Sequence, residues 1–415
     1  MLKAEMKKIV IFTNAFPYLP GEQFLEEEMK FWSDVISCEI FILPCLAKGI
    51  PRYVPKNITV DLSCTINHSW VCFLLYTIKS FFDKHLYKEI LYLWSIGNLN
   101  LFTFLSALKC ISRTLRLSYK IRKFVKLNGV IDVAYCYWND VQSYAACLVK
   151  LDGYINKVVS RVHRFDLYEE QRDFNYMPLK RQFVSIFDKV YCLSQEGMMY
   201  FFNKYHVSLQ RVCISPLGVR LPSGMSKASL AGHIHLVSLS YCVSVKRIDK
   251  IISSLVALSK EEPSLKIRWT HIGEGPLSNY LENLSIDSFD GVDNVEFMFL
   301  GGIDNFKVRE FFIKNRIDLL LNVSESEGVP VSIMEAMSFG VPAVAPDVGG
   351  VSYLVSNNLG YLMSNNPSVD EIVNAIKCIY YSADNMVMRC EVREHVALNY
   401  NAEKNYRDFV GSISE

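Results

Sequence analysis

The chain has 415 residues, half of them hydrophobic, with 44 Lys+Arg against 43 Asp+Glu and a net charge of +1. That length exceeds what one hydrophobic core usually fills, so two domains are expected, and a near-neutral chain with no nucleic-acid-binding module argues against a nucleic-acid partner. The longest apolar runs, such as residues 70–76, fall far short of the roughly 18–20 residues that span a bilayer. The twelve cysteines form no C-x-x-C pair and no leader pattern opens the sequence, so reduced thiols in the cytoplasm are expected, with neither a disulfide frame nor a metal site. Charge is unevenly spread: residues 1–200 hold 25 Lys+Arg and 19 Asp+Glu, residues 201–415 hold 19 and 24, giving +6 and −5.

In chain order, residues 8–13 (KIVIFT), 130–137, 158–162 and 190–193 read as a first set of parallel strands alternating with helices. After the first strand, residues 14–28 (NAFPYLPGEQFLEEE) place a Pro20-Gly21 turn ahead of Glu22, which is read as opening the next helix; taken alone, Gly21 is a turn glycine. The stretch 69–126 is expected to be helical. It ends in seven cations, Lys109, Arg113, Arg116, Lys120, Arg122, Lys123 and Lys126, with no acid between Leu101 and Val130. Basic amphipathic helices of this kind lie on anionic membranes, the alternative being helices packed on the domain with solvated cations. Residues 160–168 (SRVHRFDLY) put His163 at a strand's carboxyl end, beside Arg161, Arg164 and Asp166, where ligands of open α/β sheets bind.

A probable linker at 222–232 separates a second set of strands at 235–240, 265–272, 295–300, 318–323 and 343–345. Residues 238–249 (SLSYCVSVKRID) deliver Lys246 and Arg247 at a helix start, either solvated or aimed at an anion; a lysine point charge with an arginine fork can neutralise a leaving diphosphate. Residues 271–276 (HIGEGP) put Gly273 and Gly275 in a turn after the next strand, and a G-x-G alone is a weak signal. The stretch 324–350 (SESEGVPVSIMEAMSFGVPAVAPDVGG) carries the most chemistry. It predicts a strand, a loop holding Glu327, then a helix over 332–339 holding Glu335, with Pro330 in the first turn and Gly340 as the stop. Free amides at such a helix start attract a diphosphate, and carboxylates on either side accept paired hydrogen bonds from vicinal hydroxyls. An ordinary strand–loop–helix unit with solvated acids would read the same way from an E-x7-E alone.

The nine positions Glu327, Gly328, Pro330, Glu335, Ala336, Gly340, Pro342, Gly349 and Gly350 resemble, almost position for position, the C-terminal signature of the retaining glycosyltransferases of family four. The F-P-Y and G-E-x-F pattern of residues 16–24 is similar to the branch that builds bacterial O-antigen, capsule and exopolysaccharide. The resemblance implies a GT-B fold: α/β, two Rossmann-like doubly wound parallel-sheet domains facing a cleft. The domains would be an acceptor-side domain at 1–218, a nucleotide-sugar domain at 219–400, and a C-terminal helix at 401–415 crossing back to the first. It further implies that Glu327 contacts the donor sugar, Glu335 the ribose, and the amides of Gly328, Val329 and Pro330's neighbours the diphosphate. Gly273 and Gly275 would lie near the base, Gly21 near the diphosphate, and His163 near the anomeric centre, with Lys246 and Arg247 stabilising the leaving group. Two departures stand out: Tyr241 where an Arg is common and Tyr353 where an acid is usual.

The function this implies is transfer of a hexosyl unit from a UDP- or GDP-sugar to a lipid-linked or oligosaccharide acceptor. It would use no cofactor and no metal, in the cytoplasm or peripherally on the inner face of the cytoplasmic membrane. A GT-B epimerase or phosphorylase, and a non-catalytic nucleotide-sugar-binding partner, are the alternatives.

Overall fold

A computed structural model describes residues 6–19, 22, 24–66, 69–356, 358–382 and 385–415. The chain forms two compact units, Met1–Pro216 together with Tyr406–Glu415, and Leu217–Asn405.

Among the described residues the first unit is built on seven strands: β1 (Lys7–Thr13), β2 (Cys38–Pro44), β3 (Ile58–Val60), β4 (Ile131–Cys136), β5 (Ile155–Val162), β6 (Lys189–Cys192) and β7 (Val212–Ile214). They pair in the order β3-β2-β1-β4-β5-β6-β7, all parallel, so that Ile9 of β1 lies opposite Ile40 on one side and Val133 on the other. Strands covered on both faces need no polar alternation, which is why β1 and β4 run apolar through their centres, as IVIF and VAYC. Three helices, Trp70–Phe81, Lys84–Ser95 and Leu101–Asn128, fill the passage from β3 to β4. The last of them buries Ile111, Leu117, Ile121 and Phe124 in the core, so it is a core-packing helix whose cationic side faces outward. The chain's final residues seal the other face of the same sheet. Phe409, Val410 and Ile413 are buried there, with Phe409 edge-on to Tyr135 (5.1 Å) and Tyr191 (4.9 Å).

The second unit has six parallel strands: β8 (His233–Leu239), β9 (Lys266–Ile272), β10 (Val295–Phe299), β11 (Leu319–Leu321), β12 (Ala343–Pro346) and β13 (Gly360–Met363), ordered β10-β9-β8-β11-β12-β13. The order runs outward from β8 and reverses between β8 and β11, the topological switch point of a doubly wound sheet, beyond whose carboxyl edge ligands bind. Both units are therefore Rossmann-like α/β layers. Residues 222–232, expected as a linker, are instead pinned into this unit. Ser226 donates its amide to Phe339 O (2.9 Å), Ser229 donates its amide to Asp318 Oδ1 (2.9 Å), and the buried Arg389 donates to Ser226 O (2.7 Å).

Candidate active site

The carboxyl ends of β8 and β11 bring Lys246 and Glu327 together. Lys246 closes a single 3-10 turn, Ser244–Lys246, after β8, while Glu327 stands on the loop after β11. Its Nζ lies 2.6 Å from Glu327 Oε1, and Asn322 Nδ2 donates to that same oxygen at 3.0 Å. Glu327 is only 8 % exposed, so the pair sits where charge–charge attraction is weakly screened. Asn322 is itself fixed, its Oδ1 accepting the Ser324 amide at 2.8 Å. A small recess of about 10 Å³ lies here, lined by Ser240, Lys246, Asn322, Ser324 and Ser332.

Arg247 adopts a left-handed backbone (φ 49) as it starts the helix Ile248–Glu261. Its fork pins two loops: Nε donates to Val323 O and one terminal nitrogen to Asn366 Oδ1, both at 2.6 Å. The other terminal nitrogen is buried without a partner among the described residues. Burial lowers the guanidinium's pKa from its ordinary value. Arg247 thus shapes the loop holding Glu327 and keeps one donor unused.

Pro330 occupies the cap just before the helix Val331–Ser338, one step earlier than expected, with an extended backbone (ψ 112). Gly328, Val329 and Pro330 lead into that helix, and Glu335 lies half-buried on its second turn. The glycine pair of the motif has a packing reason. Gly350 donates its amide to Gly328 O at 2.7 Å. A Cβ at Gly349, which has φ +56, would stand 2.0 Å from Glu327 O, and one at Gly350 would stand 2.8 Å from Gly328 O. The loop after β12 therefore braces the Glu327 loop from behind. Gly273 and Gly275 obey the same logic beside β8, where added Cβ atoms would stand 1.8 Å from Ser240 O and 2.6 Å from Cys242 O. Under that turn His271 is fully buried, with Nδ1 2.8 Å from Ser238 Oγ and Nε2 3.2 Å from Cys242 Sγ. Burial pushes its pKa down to about 4, so it is a neutral support. Tyr241 is exposed, and Tyr353 sits in the one-turn segment Val351–Tyr353 with its carbonyl 3.2 Å from His395 Nε2.

In the first unit, His163 follows β5 and heads the short helix Arg164–Leu167. Its ring lies 4.6 Å from those of Tyr137 and Trp138, and both ring nitrogens are buried without a partner among the described residues. Burial, reinforced by the nearby Arg161 cation, drives its pKa down to about 3, which keeps the imidazole neutral. Asp166 holds the segment, accepting the His163 amide (2.5 Å) and the Asn139 amide (2.6 Å), and its own pKa rises to about 6 through burial. Tyr137 Oη and the Asn139 amide group are likewise buried and unpartnered, so unused hydrogen-bonding capacity gathers at the carboxyl ends of β4 and β5. Arg161 points elsewhere: it pairs with Glu28 at 2.6 Å and stacks 3.8 Å from the Phe409 ring.

Gly21 lies outside the described residues. Glu22, expected only to open a helix, has φ 49 and folds its carboxylate back over the loop after β1. It accepts the amides of Asn14 (2.7 Å), Ala15 (2.7 Å) and Phe16 (2.5 Å), and the Trp138 indole at 2.7 Å. Glu22 therefore reaches His163 through Trp138. Sequence reasoning missed Glu22, Trp138, Asn139 and Asn322; for the last three the available signal was their place at a strand's carboxyl end. Among the described residues no group of three or more His, Cys, Asp or Glu side chains could hold a metal ion.

Comparison with known proteins bears on the second unit and on the fold. Residues 231–393, wholly within the second unit, match the family model "Glycosyl transferases group 1". An N-acetyl-alpha-D-glucosaminyl L-malate synthase of Bacillus anthracis is 27 % identical over 174 residues, which is 41 % of this chain and 42 % of that protein. An uncharacterized glycosyltransferase of Haemophilus influenzae is 23 % identical over 179 residues, 43 % and 48 % of the two chains. The chain thus spans about half the length of the curated relatives it matches. Among solved structures, the lipopolysaccharide outer core galactosyltransferase WaaB in its apo form superposes with a TM-score of 0.68 at 16 % identity, covering 98 % of this chain and 99 % of the other. Anabaena Alr3699/HepE in complex with UDP gives 0.66 at 16 % identity over 98 % and 99 %. The fold is GT-B, and the second unit carries a glycosyl transferases group 1 domain.

Proposed function

We propose that this chain is a retaining glycosyltransferase of family four, moving a hexosyl unit from a UDP- or GDP-sugar to a lipid-linked or oligosaccharide acceptor in surface-polysaccharide synthesis. The acceptor would be met at the inner face of the cytoplasmic membrane. The observation that carries this reading is the Lys246–Glu327 pair, held by Asn322 at the switch point of a group 1 domain. The UDP-bound and UDP-glucose-bound forms of the superposing Alr3699/HepE make a nucleotide sugar the natural donor class.

In the proposed reaction the bond between the anomeric carbon and the diphosphate oxygen breaks, and the acceptor oxygen attacks from the same face. The departing phosphate oxygen takes the acceptor's proton. Charge grows on the diphosphate as that bond opens, and donors already aimed at it lower the barrier because they need not reorganise. Lys246, the unused nitrogen of Arg247 and the amides after Gly328 would offset that charge, so no metal is invoked. Glu327 would hold sugar hydroxyls, Glu335 the ribose, and Gly273 and Gly275 would flank the base. In the first unit, the neutral His163, unable to repel a developing positive centre, would serve the anomeric region, and Gly21 the diphosphate.

The test is a panel of UDP- and GDP-sugars, incubated with purified protein with and without a membrane lipid extract, following nucleotide release in wild type and Glu335→Ala. Release from one donor that rises with extract and collapses in the variant supports the proposal. Donor consumption without acceptor would mean an epimerase, dependence on inorganic phosphate a phosphorylase, and binding without turnover a non-catalytic partner.

A further inference from the structure

The segment from Trp70 to Leu105 carries a run of exposed apolar side chains. The helix Trp70–Phe81 is apolar almost all round and buries only Tyr76 and Ser80, four positions apart, leaving Trp70 at 74 % exposure and Phe73 at 56 %. A helix of that composition is normally buried in a core or in lipid. The next helix, Lys84–Ser95, does the opposite: it packs Leu86, Glu89 and Leu93 inward and turns Tyr87, Leu91 and Trp94 outward, at i, i+4 and i+7. Phe82 between the helices is 83 % exposed, and Leu101 and Phe102, the latter stacked on Phe174 at 5.4 Å, are 67 % and 65 % exposed. Isolated exposed hydrophobics are ordinary, whereas a contiguous cluster marks an interaction surface.

Charge identifies the occupant. Lys79, Lys84 and Lys88 are exposed within the same two helices, Lys84 and Lys88 one turn apart beside the Tyr87–Leu91–Trp94 stripe. The two acids of the segment are both committed. Glu89 is buried, accepting from Tyr176 Oη (2.7 Å), the Leu179 amide (3.0 Å) and Gln182 (2.6 Å), and Asp83 caps its helix by accepting the His85 amide (2.9 Å). An apolar, aromatic-rich face rimmed by lysines and free of uncommitted acids suits an anionic bilayer surface, where rings sit at the headgroup level and ammonium groups reach phosphates. In the basic run read from sequence, Lys109, Arg113, Lys123 and Lys126 are exposed, while two other cations are committed. Lys120 is spent on the carbonyls of Ser63 and Thr65, and Arg122 on Asp152.

We propose that the helical segment Trp70–Phe102 is the chain's membrane-docking surface, inserting Trp70, Phe73, Phe82, Leu91 and Trp94 into the headgroup–acyl boundary of an anionic leaflet. This specifies the membrane contact of the proposed function, and its test uses neither donor nor acceptor, so its failure would leave the transferase reading standing. The full chain is sedimented with vesicles of phosphatidylethanolamine and phosphatidylglycerol, and with vesicles of phosphatidylcholine alone, while tryptophan emission is recorded. Partition into the anionic vesicles, a blue shift lost in Trp70→Phe/Trp94→Phe, and weakening by high salt are expected. Lys84→Gln/Lys88→Gln should weaken partition about twenty-fivefold, each surface charge counting for about fivefold. Phe73→Ser/Phe82→Ser/Leu91→Ser should abolish it while nucleoside diphosphate affinity is unchanged, which shows the fold intact. Equal partition of wild type and the serine variant, or a dimer in solution that the serine variant dissolves, would overturn the proposal.

Discussion

Replacing Glu22 with alanine removes the acceptor for three backbone amides and one indole in the loop after β1. The four donors do not suffer equally. Asn14 is exposed and Ala15 half-buried, so water can satisfy their amides, whereas the Phe16 amide is in the core and the Trp138 indole is held against His163. Counting about 1–2 kcal/mol for each of the two donors left unsatisfied gives a loss of about 2–4 kcal/mol. At roughly 2–4 °C per kcal/mol for a unit of this size, the melting temperature should fall by about 10 °C. Hydrogen exchange of a peptide covering residues 9–19 should rise in parallel, because the Phe16 amide loses its partner. Glu22→Gln should fall between, since its amide keeps one acceptor oxygen but turns two donors toward other donors. A melting temperature within 1 °C of wild type with unchanged exchange would refute the assignment of Glu22 as the clamp of this loop.

Other outcomes follow from the second unit. Gly349→Ala should lower nucleoside diphosphate affinity by about tenfold or more, because its Cβ would stand 2.0 Å from Glu327 O at a left-handed backbone; Gly224→Ala, facing open space, should match wild type in the same calorimetric titration. Stability should fall as pH drops below the ordinary histidine value near 6.5. The unfolded chain then protonates His271, while the folded chain holds it neutral until about pH 4, a slope of about 1.4 kcal/mol per pH unit for this one group. Urea unfolding of His271→Asn between pH 4.5 and 7.5 should show that slope reduced by one proton. Asp166 acts in the opposite sense, its folded pKa raised to about 6 contributing stability that is lost as pH rises through that value. Transfer activity measured with EDTA should equal activity without it.

The central strands were legible because burial on both faces writes them as unbroken apolar runs, as in IVIF of β1 and LLL of β11. β3, β7 and β13 are three or four residues long and lie at or near sheet edges, where neither length nor burial leaves a pattern. β2 was lost despite its FIL core, between a charged residue and a proline. The meeting of Lys246 with Glu327 was open to sequence reasoning because each stands on a loop leaving the carboxyl end of one of two strands, β8 and β11, that pair in the sheet. The Glu22 clamp could not, since it depends on a left-handed residue folding a carboxylate back six to eight positions. The exposed face of the helix Trp70–Phe81 was hidden for another reason: a helix apolar on nearly every side has no periodicity to announce which side is uncovered.

The measurement that bears most directly on the account is transfer from the donor that the panel identifies, comparing wild type with Glu327→Gln and Lys246→Met at matched nucleotide saturation. Losing a charged group that acts on the departing diphosphate or the sugar is expected to lower kcat by about 10²–10³, with nucleoside diphosphate still bound. Variants that transfer sugar at the wild-type rate would contradict the placement of the reaction at the β8–β11 edge.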